Sequence, residues 1–166
     1  MSQQRLVLDS LEFARQHKQV SGRIDPALLG RLAGVLLDNT GGLEFTVAGS
    51  SVQATSGAEH SLSISLNGAL NLVCQRCLGS LQWPLRIHSR LVLIEAGAVW
   101  PDDDLLDDGS DPIDATPALD VLALIEDELL LALPIAPMHG NCRAGAVSVA
   151  DVASPFAKLA GLKPRR

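Results

Sequence analysis

The stretch Ser61-Leu62-Ser63-Ile64-Ser65-Leu66 decides the fold, and it leads through Asn67-Gly68 to Cys74-Gln75-Arg76-Cys77. Apolar and polar residues alternate in it with a period of two, which is typical of a β-strand with one buried face. Asn67-Gly68 predicts a turn or a bulge in this run. The residues from Ala69 to Val73 resume the strand and bring Cys74 to its end.

Two further runs on either side of this stretch predict an antiparallel meander. Leu43 to Val52 is rich in β-branched residues and alternates in part, and Leu81 to Ile94 alternates again. The pair Cys74 and Cys77 then falls at the tip of a hairpin. We expect an α+β fold, an antiparallel β-meander sheet packed with flanking helices, as a single domain over residues 1–166.

Helix-start signals lie on both sides of the predicted sheet. Asp25-Pro26 offers an N-cap followed by proline at the first helical position. Apolar residues at helical spacing follow as far as Leu36, and Asn39-Thr40-Gly41-Gly42 predicts the end of this helix. Thr116-Pro117 gives the same start signal for a second helix, which Pro134 must end or kink.

The three cysteines of the chain all lie in two short pairs, Cys74 with Cys77 and His139 with Cys142. Each pair has the two-residue gap that lets two side chains on a tight turn point at one ion. Together they offer three sulfurs and one imidazole, a complete tetrahedral shell for zinc. The long interval between the pairs leaves two alternatives open, namely a redox pair at Cys74 and Cys77, and thiols that merely fill the core.

Charge and hydropathy limit the functions and the cellular locations that the chain can have. A net charge of −6 disfavours RNA binding that relies on phosphate neutralisation alone. Three cysteines cannot form a full set of internal disulfides and no signal peptide opens the chain, so we expect a cytoplasmic protein. The longest apolar run, Val121 to Leu133, is interrupted by acidic residues and is too short to cross a membrane, so we expect no membrane partner.

Acidic residues crowd one segment, residues 101–115, together with proline and glycine. Because like charges repel each other, we expect a mobile acidic loop, which could also serve as a docking strip for a basic partner such as a ribosomal protein. Residues 154–166 predict a short helix that Ser154-Pro155 begins and Gly161 ends, followed by a basic tail. That tail is too short to establish RNA binding.

Several motifs occur in the order typical of one protein family. Val73-Cys74-Gln75-Arg76-Cys77 is followed by the segment from Asp120 to Pro134, by His139 and Cys142, and by Ser154-Pro155-Phe156-Ala157-Lys158-Leu159. With these motifs the chain resembles the large ribosomal RNA subunit accumulation protein family, also called the YceD family, over nearly its full length. The resemblance implies a bacterial or plastid protein associated with accumulation of large-subunit (23S) ribosomal RNA, and it implies no enzymatic activity. Members often have more cysteines after the Leu-Pro motif than this chain does.

Two functions follow from these observations. The first is a non-enzymatic ribosome-biogenesis factor that binds a large-subunit component, ribosomal RNA or a basic ribosomal protein, and needs no small-molecule substrate. The acidity of the chain favours the basic ribosomal protein, rather than the RNA, as the direct contact. The second is an enzyme, either a zinc hydrolase with Glu126 as acid/base or a thiol-disulfide protein that uses Cys74 and Cys77. Four protein ligands would leave zinc no open position, which argues against the hydrolase.

Charged residues near the motifs are candidate contacts for a partner. Arg76, Arg86 and Arg90 flank the Cys pair and could form an RNA-contacting patch, or could only keep a strand face soluble. The trio Glu126, Asp127 and Glu128 lies in the C-terminal half of a predicted helix, where the helix dipole disfavours each negative charge by roughly 0.3–1 kcal/mol. This placement predicts a partner for one of them, and a solvated face is the alternative.

Overall fold

The computed structural model describes residues 6–54, 57–98, 100 and 109–142. In these ranges the chain is an α+β protein made mostly of sheet, as predicted. The strands are β1 (Val7–Leu8), β2 (Gln19–Ile24), β3 (Leu36–Ala54), β4 (Gly57–Val73), β5 (Ser80–Ile94), β6 (Ser110–Asp114) and β7 (Leu119–Asp120). The helices are α1 (Ser10–Arg15) and α2 (Val121–Ala132), and two 3₁₀ turns cover Pro26–Leu28 and Gly30–Leu32.

The main sheet has five strands in the order β2-β3-β4-β5-β6, and β1 pairs with β7 in a separate two-stranded sheet. Strands β2 to β5 are antiparallel neighbours. The predicted meander covers β3 to β5, and β2 was not predicted. The last strand breaks the pattern, because β6 runs parallel to β5 with Ser110 opposite Arg90 and Asp114 opposite Ile94. The sheet is therefore mixed, and the prediction of a purely antiparallel sheet is wrong at this edge.

Strand β6 lies inside the segment that the sequence predicted to be a mobile acidic loop. Ser110 is buried and Ile113 packs against the core, while Asp111 and Asp114 are exposed. This arrangement keeps the carboxylates in water, and acidic residues with a proline suit the edge of a sheet. The prediction of an unpacked loop is therefore wrong for residues 110–114. Residues 101–108 and the predicted C-terminal helix and tail, 154–166, lie outside the described residues.

The hydrophobic core lies on one face of the main sheet. Leu62, Ile64 and Leu66 are fully buried, and the serines between them are only partly buried, so the prediction of a half-buried strand is confirmed. Helix α1 packs closely on this face, because a Cβ at Gly49 would lie 2.6 Å from the Cα of Ala14. The 3₁₀ turns and α2 complete the cover with buried leucines, isoleucine and valine.

The first helix-start signal is only half right. Asp25 does act as a cap, since its carboxylate accepts a hydrogen bond of 2.9 Å from the backbone N–H of Ala27. Two 3₁₀ turns then form in place of an α-helix, and β3 begins at Leu36, so Asn39 to Gly42 lies within a strand. Glycine weakens a helix by about 1 kcal/mol per residue, and Gly30 and Gly34 both fall in this window. Sheet pairing therefore outweighs the local apolar spacing.

Asn67-Gly68 neither turns nor interrupts β4, contrary to the prediction. Pairing of β4 with β5 is continuous through both residues. The irregularity lies in β3, whose register with β4 shifts between Leu36 and Gly41. Within β4, position 68 requires glycine because two backbones approach closely at this point. Gly68 has a φ of +152°, and a Cβ on it would lie 2.2 Å from the carbonyl oxygen of Gly42.

The second helix begins later than predicted. Its N-cap is Asp120, whose carboxylate accepts from the N–H groups of Leu122 at 3.0 Å and Ala123 at 3.3 Å. Thr116 instead pairs with Ser10, because the N–H of Ser10 donates to the Thr116 carbonyl at 3.0 Å and the N–H of Thr116 donates to the Ser10 hydroxyl at 2.9 Å. The helix ends before Pro134, as predicted. Neither helix of the described ranges has both the length and the apolarity needed to cross a membrane.

Candidate metal centre

The turn between β4 and β5 presents the first pair of candidate ligands. The two strands stay paired as far as Val73 and Ser80, so residues 74–79 reverse the chain. The N–H of Cys74 donates to the carbonyl of Gly79 at 3.0 Å, and the N–H of Leu78 donates to the carbonyl of Cys74 at 2.8 Å. Leu78 adopts a φ of +58°, which is uncommon for a residue other than glycine. In this turn Cys74 is buried and Cys77 half-buried.

The segment after α2 presents the second pair. Leu133 leaves the helix with extended backbone, and Pro134 cannot continue it. The N–H of Gln75 donates to the carbonyl of Pro137 at 2.8 Å, and the guanidinium of Arg76 donates to the carbonyl of Cys142 at 3.1 Å. These two bonds attach the segment to the Cys turn on both sides of His139.

The four candidate ligands meet in one cluster, as the pairing of the two motifs predicted. The ligand atoms of Cys74, Cys77, His139 and Cys142 all lie within 4.8 Å of one another. The sulfurs of Cys74 and Cys142 are 3.6 Å apart, and the sulfur of Cys77 is 3.5 Å from Nδ1 of His139. Ligand atoms about 2.3 Å from a tetrahedral zinc lie roughly 3.8 Å from each other. The spacing therefore fits a single ion of this size.

The ring of His139 is held in the orientation that a ligand requires. Its Nε2 lies 2.8 Å from the carbonyl oxygen of Ser80, which can only accept a hydrogen bond. The proton is therefore on Nε2, and the lone pair of Nδ1 faces the cluster. Metal-bound histidines are usually fixed in this way by an acceptor behind the ring.

The thiols of Cys74 and Cys142 differ in acidity. Burial of Cys74 acts to raise its pKa, but the backbone N–H groups of Cys77, His139 and Arg76 together lower that pKa to about 5. Burial raises the pKa of Cys142, and the neighbouring Cys74 raises it further through a hydrogen bond and charge repulsion. A thiolate at Cys74 thus opposes a second thiolate beside it, and a dication between them would remove that repulsion.

Three sulfurs and one imidazole form a donor set that suits zinc rather than hard ions such as magnesium or calcium. Four protein ligands also close the tetrahedral shell, which is typical of a structural site and not of a catalytic one. The cluster can therefore hold an ion that joins the chain after α2 to the end of the β4–β5 pair.

The three candidate arginines lie at different distances from the cluster. Arg76 is in the Cys turn, whereas Arg86 and Arg90 are exposed on β5. A strand rises about 3.3 Å per residue, so Arg86 is roughly 20 Å and Arg90 roughly 33 Å along β5 from Ser80. Arg90 also forms an ion pair of 2.7 Å with Glu59. The structure therefore does not gather the three into one patch.

The acidic trio of α2 is largely used inside the protein. Glu126 is 7% exposed and accepts from the backbone N–H of Arg31 at 3.0 Å. Glu128 is 8% exposed and accepts from the hydroxyl of Ser89. Asp127 is half-exposed and pairs with the side chain of Arg31. A solvated face is therefore the wrong interpretation for the two glutamates, and Asp127 alone of the trio remains accessible to a partner.

Sequence reasoning missed the residues that position the ligands through their backbone. Ser80 holds the ring of His139, and Pro137 receives the N–H of Gln75. Every residue has a carbonyl, so such a role has no signature in residue type. The one available signal was position, because Ser80 begins the strand directly after the Cys turn.

A comparison with protein families identifies the chain. Residues 62–163 match the family described as "Large ribosomal RNA subunit accumulation protein YceD". This range is more than half of the chain and contains all four clustered ligands. The chain therefore belongs to the YceD family, which is named for the accumulation of an RNA and not for a reaction.

A curated relative from Haemophilus influenzae has the same name, Large ribosomal RNA subunit accumulation protein YceD. It is 31% identical over 109 residues, which are 58% of this chain and 61% of the relative. The match thus spans less than two thirds of the relative's length. No solved structure matches the chain significantly.

Proposed function

We propose that this protein is a non-enzymatic ribosome-biogenesis factor that supports the accumulation of large-subunit (23S) ribosomal RNA. The match of residues 62–163 to a family named for that RNA carries the proposal. The protein would act in the cytoplasm by binding a component of the large subunit during assembly, either the RNA or a basic ribosomal protein. Exposed Arg76, Arg86 and Asp127 are its candidate contacts, whereas Glu126 and Glu128 are buried.

We further propose that Cys74, Cys77, His139 and Cys142 hold one structural zinc ion. Support comes from the 4.8 Å limit on their mutual distances, from the soft donor set and from the bond between His139 and Ser80. The ion would clamp the chain after α2 onto the end of the main sheet. A closed shell would supply no catalysis, since no coordination position is left for a substrate.

A thiol or zinc enzyme is the alternative, and the low pKa of Cys74 favours it. Two observations oppose it. The side chain of Cys74 has no exposed surface, so a substrate has no access to its sulfur. Glu126, the candidate acid/base of a zinc hydrolase, already binds the backbone N–H of Arg31.

Depletion of the protein tests the main proposal. We expect the ratio of large-subunit to small-subunit ribosomal RNA to fall, and to recover when the wild-type chain is expressed again. An unchanged ratio would overturn the proposal. Elemental analysis tests zinc separately, with about one ion per chain expected in protein made with zinc available and less in Cys77→Ser.

A further inference from the structure

A polar pocket lies beside the candidate metal centre, on the face of the main sheet that the two described helices leave uncovered. It has a volume of about 250 Å³ and is lined by residues of three strands, among them Thr40, Gly41, Asn71, Ser80 and Gln82. Drug-sized ligands occupy roughly 300–1,000 Å³. The pocket is therefore suited to one small, flat group that forms hydrogen bonds.

Hydrogen bonds connect this pocket to the cluster of candidate metal ligands. The carbonyl of Ser80 accepts from His139, and the hydroxyl of Ser80 donates to Oδ1 of Asn71 at 2.6 Å. Nδ2 of Asn71 donates to Asp38 at 2.9 Å, and Asp38 also accepts from the N–H of Thr40 at 2.8 Å. The Asn71 amide keeps one donor and one acceptor site for a ligand, because each of its two groups can form a second bond. An ion that fixes His139 would therefore also fix the wall of the pocket.

A second concavity continues from the pocket along β4 and β5. Asn67, Gly68, Pro84 and Arg86 are among the residues that line it. Asn71 lies opposite Gln82, and Asn67 lies opposite Arg86 on the same face of the strand pair. We call this exposed face of residues 67–73 and 80–86 the polar strip. The part between the pocket and Arg86 is roughly 13 Å long, since each strand residue adds about 3.3 Å.

The charge of the polar strip differs from that of the whole chain. Of the 19 acidic residues, seven lie in residues 101–115, which have no lysine or arginine. The rest of the chain therefore has 12 acidic and 13 basic residues, a net charge of +1. Residues 67–73 and 80–86 contain no acid at all, and Arg86 is exposed at one end of the strip. Two carboxylates of β3 border the strip, because Asp38 accepts from Asn71 and Glu44 lies opposite Asn67. Arg23 and Arg86 lie in the same row on either side of Glu44, so the end of the strip at Arg86 keeps a net positive charge that can attract a phosphate.

We infer that the polar strip binds single-stranded RNA, with one base in the pocket against Asn71 and Gln82 and a phosphate at Arg86. Amide side chains recognise the edges of unpaired bases, which a duplex would keep occupied by pairing. The inference rests on the proposed function, because membership of a family named for an RNA selects RNA among phosphate-bearing partners. It departs from the expectation that the acidic balance selects a basic ribosomal protein.

Fluorescence anisotropy with a short labelled single-stranded RNA of mixed sequence, and with its duplex, tests the inference on the full-length protein. Arg86→Gln should weaken binding of the single strand and reduce the slope of log Kd against log salt by about 0.7, the effect of one lost phosphate contact. Lys18→Gln makes the same charge change at an exposed site away from the strip and should preserve both values. Gln82→Ala should weaken binding about two- to tenfold without changing the slope, because it removes uncharged hydrogen bonds.

Several results would overturn the inference. These are no binding of the single strand, tighter binding of the duplex, or equal effects of Arg86→Gln and Lys18→Gln. A photo-crosslinking residue at position 82 adds a test in cells, where we expect adducts with RNA. Adducts with a basic ribosomal protein and none with RNA would contradict it.

Complementation separates this inference from the proposed function. In depleted cells, the double variant Arg86→Gln/Gln82→Ala should fail to restore the ratio of the two ribosomal RNAs, although thermal unfolding shows it to be folded. If depletion itself leaves the ratio unchanged, the proposed function fails. If depletion lowers the ratio and the double variant restores it fully, the function stands and the polar strip is not its RNA site.

Discussion

The ring of His139 donates through Nε2 to the carbonyl oxygen of Ser80, 2.8 Å away, although the two residues are 59 positions apart in the chain. The bond turns Nδ1 toward the sulfur of Cys77, which lies 3.5 Å from it. The first residue of β5 therefore orients a candidate metal ligand that the chain supplies only after α2. This bond joins the sheet to the connector, residues 134–138 between α2 and His139, and to the candidate metal ligands, and the first prediction follows from this coupling.

Cys77→Ser should loosen the segment after Pro134 more than it loosens the sheet, because it removes a proposed zinc ligand through which the ion would tie this segment to the Cys turn. Hydrogen exchange should then become faster in residues 137–142 and remain slow in the buried strand β4. Wild-type protein stripped of metal by a chelator should show the same pattern. Ser80→Ala is the control, since it keeps the carbonyl that holds His139. Uniform loss of protection across β4 in Cys77→Ser would contradict the clamp.

Zinc affinity should fall as the pH is lowered from 8 to 5. The raised pKa of Cys142 means that this thiol keeps its proton near neutral pH in metal-free protein, so ion binding must release it. Cys74, with a pKa of about 5, is already a thiolate at pH 7 and contributes little release there. Titration calorimetry in buffers of different ionisation enthalpy counts the protons. Cys142→Ser should reduce the count at pH 7 more than Cys74→Ser does, and the reverse order would refute this assignment.

Gly68→Ala should destabilise the protein by about 2–4 kcal/mol, because its Cβ would collide with the backbone of β3 and its φ is unfavourable for alanine. Urea unfolding followed by circular dichroism measures the loss. Gly30→Ala provides the matched control, since a Cβ there meets no atom within 4 Å. We expect that control to change the free energy of unfolding by less than about 1 kcal/mol. Equal effects at both positions would show that the close approach is not required.

Glu126→Ala should cost about 1–3 kcal/mol of stability, because it removes a part-buried hydrogen bond in which the carboxylate of Glu126 accepts from the N–H of Arg31. Asp127→Ala removes the neighbouring carboxylate from a half-exposed ion pair and should cost less than about 1 kcal/mol. The same unfolding measurement compares the two. A larger loss for Asp127→Ala would mean that the internal role belongs to the exposed residue.

The amides of β6 should exchange slowly despite the acidity of this segment. The N–H of Ala115 donates to the carbonyl of Ile94 at 2.8 Å, and the preceding residues pair with β5. Ile113→Asp should abolish the protection, because it removes the side chain that packs this strand on the core. Asp111→Asn, at an exposed position of the same strand, should preserve it. Rapid exchange at Ala115 in the wild-type protein would contradict the parallel pairing.

The parts of the fold that could be predicted are those in which one face of a strand meets the core. In β4, buried Leu62 and Ile64 alternate with less buried Ser63 and Ser65. The apolar and polar residue types alone predict this contrast in burial. Strand β6 has only Ile113 as an apolar anchor among acids, so the repulsion of like charges dominated the interpretation. Thr116 was predicted to cap a helix because its pairing with Ser10, 106 positions away, has no local signal.

The candidate site was predictable as a set of ligands and not as a geometry. Soft donors at two-residue spacing identified Cys74, Cys77, His139 and Cys142, but only the fold could bring the two pairs within 4.8 Å. For Glu126 the residue type was misleading. Its charge suggested an exposed contact or an acid/base. In the structure its carboxylate accepts from the backbone N–H of Arg31, which lies in a 3₁₀ turn that the sequence did not predict.

The wide separation of the ligand pairs has a consequence for a newly made chain. Cys74 and Cys142 are 68 positions apart, and at about 5–20 residues per second the ribosome needs roughly 3–14 s to add the second after the first. During that interval the emerging polypeptide offers only half of a coordination shell, which holds an ion weakly. Tight binding of the ion would therefore begin only after α2 and residues 134–142 have left the exit tunnel and docked on the sheet. A bound ion would then mark a chain whose synthesis had continued past Cys142.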